Sequence, residues 1–174
     1  GFSLLELLVV MAIIVIVSTI TAVGLNVLAE GNAKKANKTM YSKISELRTT
    51  TMSKSGEWYM VISCQDNTYT LETHHVANGE DNIKDTSKFS ASRISLNYYN
   101  GDSSTGYDLR NNSLKIQFNK NDGSCKSVKI IDTEEFITDN LDSPQFGKIV
   151  ASVSRNNTYE SKLWYKTGRV TTQN

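Results

Sequence analysis

From Phe2 to about Leu28 the chain is apolar at nearly every position, interrupted only by Ser3, Glu6, Ser18, Thr19, Thr21, Gly24 and Asn26. As a helix this run would reach about 40 Å, more than the ~30 Å of bilayer hydrocarbon. Small and hydroxyl residues at Ala12, Ser18, Ala22 and Gly24 would let neighbouring helices approach closely. Beyond Gly31 the pattern changes rather than stops. Ala33, Ala36, Met40, Ile44, Leu47 and Thr51 recur at helical spacing, with Lys34, Lys35, Lys38, Ser42, Ser45 and Thr49 on the other faces. The pattern predicts one helix, all-apolar first and amphipathic later, ending near Ser55-Gly56. Its second half can bury its stripe only against a domain of its own.

That domain reads as β. Residues 58–64 and 68–73 form one strand pair around the turn Gln65-Asp66-Asn67, and the second of them alternates apolar with polar side chains. Segments 94–98 and 114–118 alternate likewise, and Asn121-Asp122-Gly123 is a hairpin signal before a strand at 127–131. A last pair is expected at 149–153 and 162–166, with polar loops over 76–92, 100–113 and 132–147. The expected fold is α+β: a long N-terminal α-helix, transmembrane then amphipathic, packed on an antiparallel β-sheet head. Its parts are residues 1–30, the transmembrane and filament-core half of the helix; 31–55, the amphipathic half; and 56–174, the globular head.

The formal charge of +1 over 174 residues changes little, but its distribution does. Residues 1–33 carry −2, 34–54 carry +5, 55–147 carry −6 and 148–174 carry +4. Two basic segments flank an acidic middle, and a basic patch attracts anionic polymers when it is not simply a solvated face.

Glu6 is the costly residue in the apolar run. An unpaired carboxylate beside hydrocarbon costs a few kcal/mol, so it calls for a cationic partner and a function. The conceivable partner is an amino terminus just upstream, created by a cut between Gly1 and Phe2. Gly1-Phe2-Ser3-Leu4-Leu5-Glu6 followed by this apolar run resembles the N-terminal signature of type IV pilins and pseudopilins. The resemblance implies that a prepilin peptidase cleaves after Gly1 and methylates the new N-terminal Phe2. Glu6 is then the fifth mature residue and, with Phe2, an assembly residue. A secretory signal peptide would have a basic segment before the core and a small-residue site after it; neither is present. The basic leader of a prepilin would lie before Gly1, which implies a trimmed or processed chain. Major pilins often carry a proline that kinks this helix. Here the only proline is Pro144, leaving Gly24 and Gly31 as the weak points.

Further implications follow from the resemblance. The partners would be other pilin subunits in a helical filament, the prepilin peptidase and a membrane assembly platform. The chain would sit as a single-pass membrane protein with its head outside the cytoplasm, then in an extracellular or cell-surface filament. Such a compartment favours pairing of the two cysteines, Cys64 and Cys125. A bridge would close a loop of about 60 residues, worth on the order of 4 kcal/mol; two separate buried thiols are the alternative.

The C-terminal half is more particular. Phe118-Asn119-Lys120-Asn121-Asp122-Gly123 before a strand, and Leu163-Trp164-Tyr165-Lys166-Thr167-Gly168-Arg169-Val170, resemble H-type minor pseudopilins and FimT-type minor pilins. In FimT-type proteins a terminal Gly-Arg-x-Arg motif is associated with DNA binding. Gly168 and Arg169 match it, while Thr171 stands in place of the second arginine. Lys162, Lys166 and Arg169 are the candidate DNA contacts, against the alternative of exposed strand-end charges.

No catalytic constellation, metal centre or cofactor is expected, so the chain is read as not an enzyme. His74 and His75 are adjacent and would face opposite sides of a strand, unable to chelate one metal together. Asp132, Glu134, Glu135, Asp139 and Asp142 match no ordered calcium loop and read as a solvated acidic segment. The expected function is that of a structural subunit, a minor pilin or pseudopilin, of a pilus, competence or secretion-type filament. The alternative is a minor pilin that binds DNA through its basic C-terminal edge.

Overall fold

The computed structural model describes residues 3–131, 134–135, 145–154 and 157–173; the side chains at 19–26, 134–135 and 154 are not among those described. Helix α1 covers Leu4–Ser53. Among the described residues eleven strands follow: β1 (Glu57–Gln65), β2 (Thr68–Ala77), β3 (Glu80–Ser90), β4 (Ser95–Asn100), β5 (Gly106–Asp108), β6 (Leu114–Phe118), β7 (Cys125–Ile130), β8 (Glu134–Glu135), β9 (Phe146–Ser154), β10 (Asn157–Trp164) and β11 (Val170–Gln173).

The expected long transmembrane-then-amphipathic helix is corrected. Among the described residues no helix is long and apolar enough to cross a membrane. The described helical side chains fall in two stretches, 4–18 and 27–53. The first carries the Glu6 carboxylate in its first turn. The second carries lysines on its outer faces.

The amphipathic stretch is built as its stripe demands. Ala33, Ala36, Met40, Ile44, Leu47 and Thr51 are all buried. The helix stops where its hydrogen-bond ladder runs out: the Lys54 N–H closes on the Thr50 carbonyl and Gly56 takes a left-handed φ of +84°. That glycine has no room for a side chain, because a Cβ would overlap the His75 ring.

The head holds two antiparallel sheets rather than one. The first runs β3-β2-β1-β6-β7-β8 and the second β11-β10-β9-β4-β5. Helix α1 touches β1 and β6 of the first and β9, β10 and β11 of the second. Met60, Ile62, Leu71, Leu114, Ile116 and Val128 from one sheet, and Leu96, Tyr98, Ile149 and Leu163 from the other, share a single core with the helix stripe. Polar links run through it, among them the Leu96 N–H donating to the Tyr69 hydroxyl oxygen at 3.1 Å between the two sheets. Ser161 donates to Asn37 Oδ1 (2.6 Å) in the buried helix–β10 contact, and the Tyr98 and Tyr165 hydroxyls share a hydrogen bond. Burial holds both phenols protonated to pH values well above the ordinary range.

Three expected loops contain strands. β3 lies within the expected loop 76–92, β5 within 100–113 and β8 within 132–147, and β11 follows the last expected strand. β3 is mostly polar, and although Asp85, Ser87 and Phe89 are half-buried its sequence shows no apolar–polar alternation; its order comes from pairing with β2 through its backbone. The expected hairpin at Asn121-Asp122-Gly123 joins β6 to β7, with Gly123 at a φ of +69°.

Candidate functional site

Two regions carry the candidate functional residues. The first is the N-terminal end of α1. Ser3 caps it, its hydroxyl oxygen accepting from the Glu6 N–H at 3.2 Å, and Glu6 sits in the first turn, where a carboxylate suits the helix dipole. Apolar side chains from Leu4 to Val17 stand uncovered, Leu4 at 83 % exposure and Val17 at 58 %. Gly1 and Phe2, the expected cleavage and methylation pair, lie outside the described residues.

The second is the turn joining β10 to β11. Along β10, Leu163 is buried, as is Tyr165 just beyond it, while Lys162 and Trp164 alternate onto the face turned away from the core. The turn is closed by the Gly168 N–H donating to the Trp164 carbonyl (2.7 Å) and the Trp164 N–H donating to the Arg169 carbonyl (2.8 Å). Gly168 has a φ of +62°, and a Cβ there would collide with the carbonyl oxygen of Gly123. The Gly-Arg-Val segment thus has a packing reason at its first and last positions. Gly168 lets two hairpins touch, and Val170 is buried. Only Arg169 projects outward.

Arg48 of α1 fastens this turn. Its Nε donates to the carbonyls of Gly123 (3.0 Å) and Thr167 (3.1 Å), one from each sheet's hairpin. The result is an open groove of about 680 Å³ lined by Lys166, Arg169, Trp164 and the hydroxyl- and amide-bearing residues around them. Trp164 anchors its floor, tilted against Phe146 at 5.2 Å and donating its indole N–H to Thr171 Oγ1 at 3.3 Å. Of the three expected DNA contacts, the structure brings Lys166 and Arg169 together in this groove and leaves Lys162 out. Lys162 is paired with Glu160 at 3.4 Å and lies over the Phe146 ring. Thr171, standing where the second arginine of the motif would be, also lines the groove.

The expected disulfide is corrected: Cys64 and Cys125 are free thiols. The register gives the reason. Cys64 is next to last in β1, whereas Cys125 pairs with Phe118 of β6, at the level of the opposite end of β1. The two sit about six residues, or ~20 Å, apart along the strands, far beyond disulfide reach. Burial pushes both thiol pKa values up.

His74 and His75 do face opposite sides of β2. His75 stacks on Trp58 at 4.2 Å, with its Nε2 3.0 Å from the Ser55 carbonyl; His74 stacks on Tyr59 at 4.6 Å and meets Asp81 at 3.1 Å. Among the described residues no group of three His, Cys, Asp or Glu side chains could hold a metal ion. The acidic run expected as solvated lies almost wholly outside the described residues, with only the backbone of Glu134 and Glu135 in β8 described.

Trp164 and the Thr171–Gln173 edge were not expected in a site, nor were Lys34, Lys38 and Tyr41, which line a neighbouring depression of about 250 Å³. The two basic segments of the sequence were the available signal, but nothing in the pattern said that they meet. Comparison of the chain with protein-family models, characterised proteins and solved structures returns no match.

Proposed function

We propose that the protein is a filament subunit of the type IV pilin or pseudopilin kind, a minor one, assembled through its apolar N-terminal segment. The observation that supports this reading is the row of uncovered apolar side chains between Leu4 and Val17. A contiguous apolar surface of that extent marks an interaction site. The same segments of neighbouring subunits would cover it, and Glu6 would then need a cation where water is excluded. The Phe2 amine of an adjacent subunit supplies it after cleavage at Gly1–Phe2. The head would stand at the filament surface outside the cytoplasm, with the prepilin peptidase and a membrane assembly platform as further partners. The role is structural rather than catalytic.

Glu6→Ala co-expressed with the wild-type chain tests this. The variant head should fold, while its share in sheared filaments should drop by about tenfold or more. Incorporation at wild-type levels would overturn the pairing role. Mass spectrometry of the assembled protein should find the N-terminal peptide starting at methylated Phe2, and a dominant peptide retaining Gly1 would overturn the processing step.

The groove favours a second reading, DNA capture by a minor pilin. Lys166 and Arg169 would hold phosphates, and Trp164 would offer its ring. Binding of the full chain to DNA that weakens with salt, and weakens further in Lys166→Gln/Arg169→Gln, is the expected result; no binding at low salt would remove this reading.

A further inference from the structure

The groove does not end at the sheet edge. Thr172 of β11 lines both the groove holding Trp164, Lys166 and Arg169 and the depression formed on α1 by Lys34, Asn37, Lys38 and Tyr41. β11 is the edge strand of its sheet, so the two depressions meet across an open edge. Trp164 and Thr171 lie on the face turned away from the helix, whereas Asn37 reaches Ser161 from the helix side. A ligand occupying both must therefore bend around β11. Four cationic side chains line this path, and no carboxylate does among its described lining residues. The acids nearby in sequence are engaged: Glu30 accepts from the Tyr159 hydroxyl at 3.0 Å, and Glu160 is paired with Lys162. Two bases of the +5 segment, Lys34 and Lys38, and two of the +4 segment, Lys166 and Arg169, meet along it.

We propose that this path is a binding track for single-stranded nucleic acid, running from Trp164 over the β11 edge to Tyr41. The inference rests on the nucleic-acid reading of the groove and extends it to α1. Flexibility separates the strand types. Duplex DNA has a persistence length of about 150 base pairs and resists folding around the edge of one small domain, whereas a single strand turns at every nucleotide. Ring exposure points the same way. Tyr41 is open to solvent and Trp164 half-open, one on each side of the edge, and unpaired bases stack on such rings while paired bases are hidden. Lys34 and Lys38, one helical turn apart, would hold successive phosphates on the α1 side.

The test is a fluorescence titration of the full chain in detergent with a labelled oligothymidylate and with a duplex of equal length, over a range of salt. The strand should bind at least about tenfold more tightly than the duplex, with a log–log salt slope of about −3 for four contacts. Lys34→Gln/Lys38→Gln should flatten that slope by about 1.4, and Tyr41→Ala should weaken binding with the slope unchanged. If Lys166→Gln/Arg169→Gln abolishes binding while the helix variants leave it intact, the groove reading stands and the track is overturned. Equal or tighter binding of duplex also overturns the track. No binding of either nucleic acid removes both readings, and displacement of the strand by polygalacturonate at lower charge concentration would reassign the path to acidic glycans. Circular dichroism of each variant should match wild type.

Discussion

Gly168 and Gly123 meet backbone to backbone, and this contact decides what the Gly-Arg-Val segment is for. In Gly168→Ala the Cβ would overlap the Gly123 carbonyl oxygen in a left-handed conformation that already disfavours alanine. A loss of about 2 kcal/mol is expected, read by urea unfolding; Arg169→Ala, whose side chain is exposed, should change stability by less than about 0.5 kcal/mol. The motif was legible in the sequence, but its glycine's partner was not, because Gly123 lies 45 residues away in another hairpin. The cysteines teach the same lesson in reverse. Both stand at strand ends, yet register separates them, so alkylation of the denatured, unreduced protein should label both thiols. A single oxidised species would contradict the register. A third residue-scale case is Tyr59, whose hydroxyl donates to Asp81. Desolvation, and then that bond, push its pKa up to about 12. The stability it contributes is therefore complete below its ordinary 10.0 and is lost as pH rises through about 12. Asp81 is shifted the other way, chiefly by the same bond, so its contribution is complete above 3.8 and is lost as pH falls below that value. Asp81→Asn should lower the Tyr59 titration from about 12 while desolvation still holds it above the ordinary 10.0, followed by phenolate absorbance.

At the scale of elements, what could be read from the chain depended on whether an element has an inside. The α1 stripe was visible because Met40, Ile44 and Leu47 must all point at one core, and each is at most 1 % exposed. β6 was visible because its buried positions alternate without a break. β3 was not, since its side chains meet mostly water and its register is set by β2 alone, with a shift between Thr73 and His74. β5 and β11 are three and four residues long, too short for alternation to show. The groove was hidden for a related reason: it is made by the edge of β11, an element the pattern did not reveal. Met40→Ala tests the helix stripe, because it empties space between both sheets at a fully buried position. A loss of about 3 kcal/mol is expected. A polar-to-polar change on the exposed outer edge, such as Lys88→Gln in β3, should stay within about 0.5 kcal/mol.

For the whole molecule, the question is what makes two sheets and a helix behave as one body around the groove. The apolar core does most of this, but at the C-terminal end of α1 the joint is polar. Arg48 reaches a carbonyl in the β6–β7 turn and another in the β10–β11 turn, and nearby the Cys125 N–H donates to the Tyr165 carbonyl at 2.8 Å, tying β7 to the end of β10. Arg48 is half-buried, so its stem fills space while its guanidinium donates to two backbone carbonyls. Arg48→Met keeps most of the stem and removes the donors. The two carbonyls would then lose charge-assisted bonds, for an expected loss of about 2 kcal/mol. In a head of this size that corresponds to a fall in Tm of roughly 4–8 °C. Local consequences should exceed the global one. Amide exchange should accelerate at Gly168, whose N–H closes the turn, while the β2–β3 pairing at the outer edge of the first sheet keeps its protection. Because Lys166 and Arg169 project from the same turn, the nucleic-acid binding proposed for them should weaken in Arg48→Met although Arg48 lines neither depression. Unchanged exchange at Gly168 would mean that packing of the two glycines alone holds the turn, and that the arginine merely sits beside it.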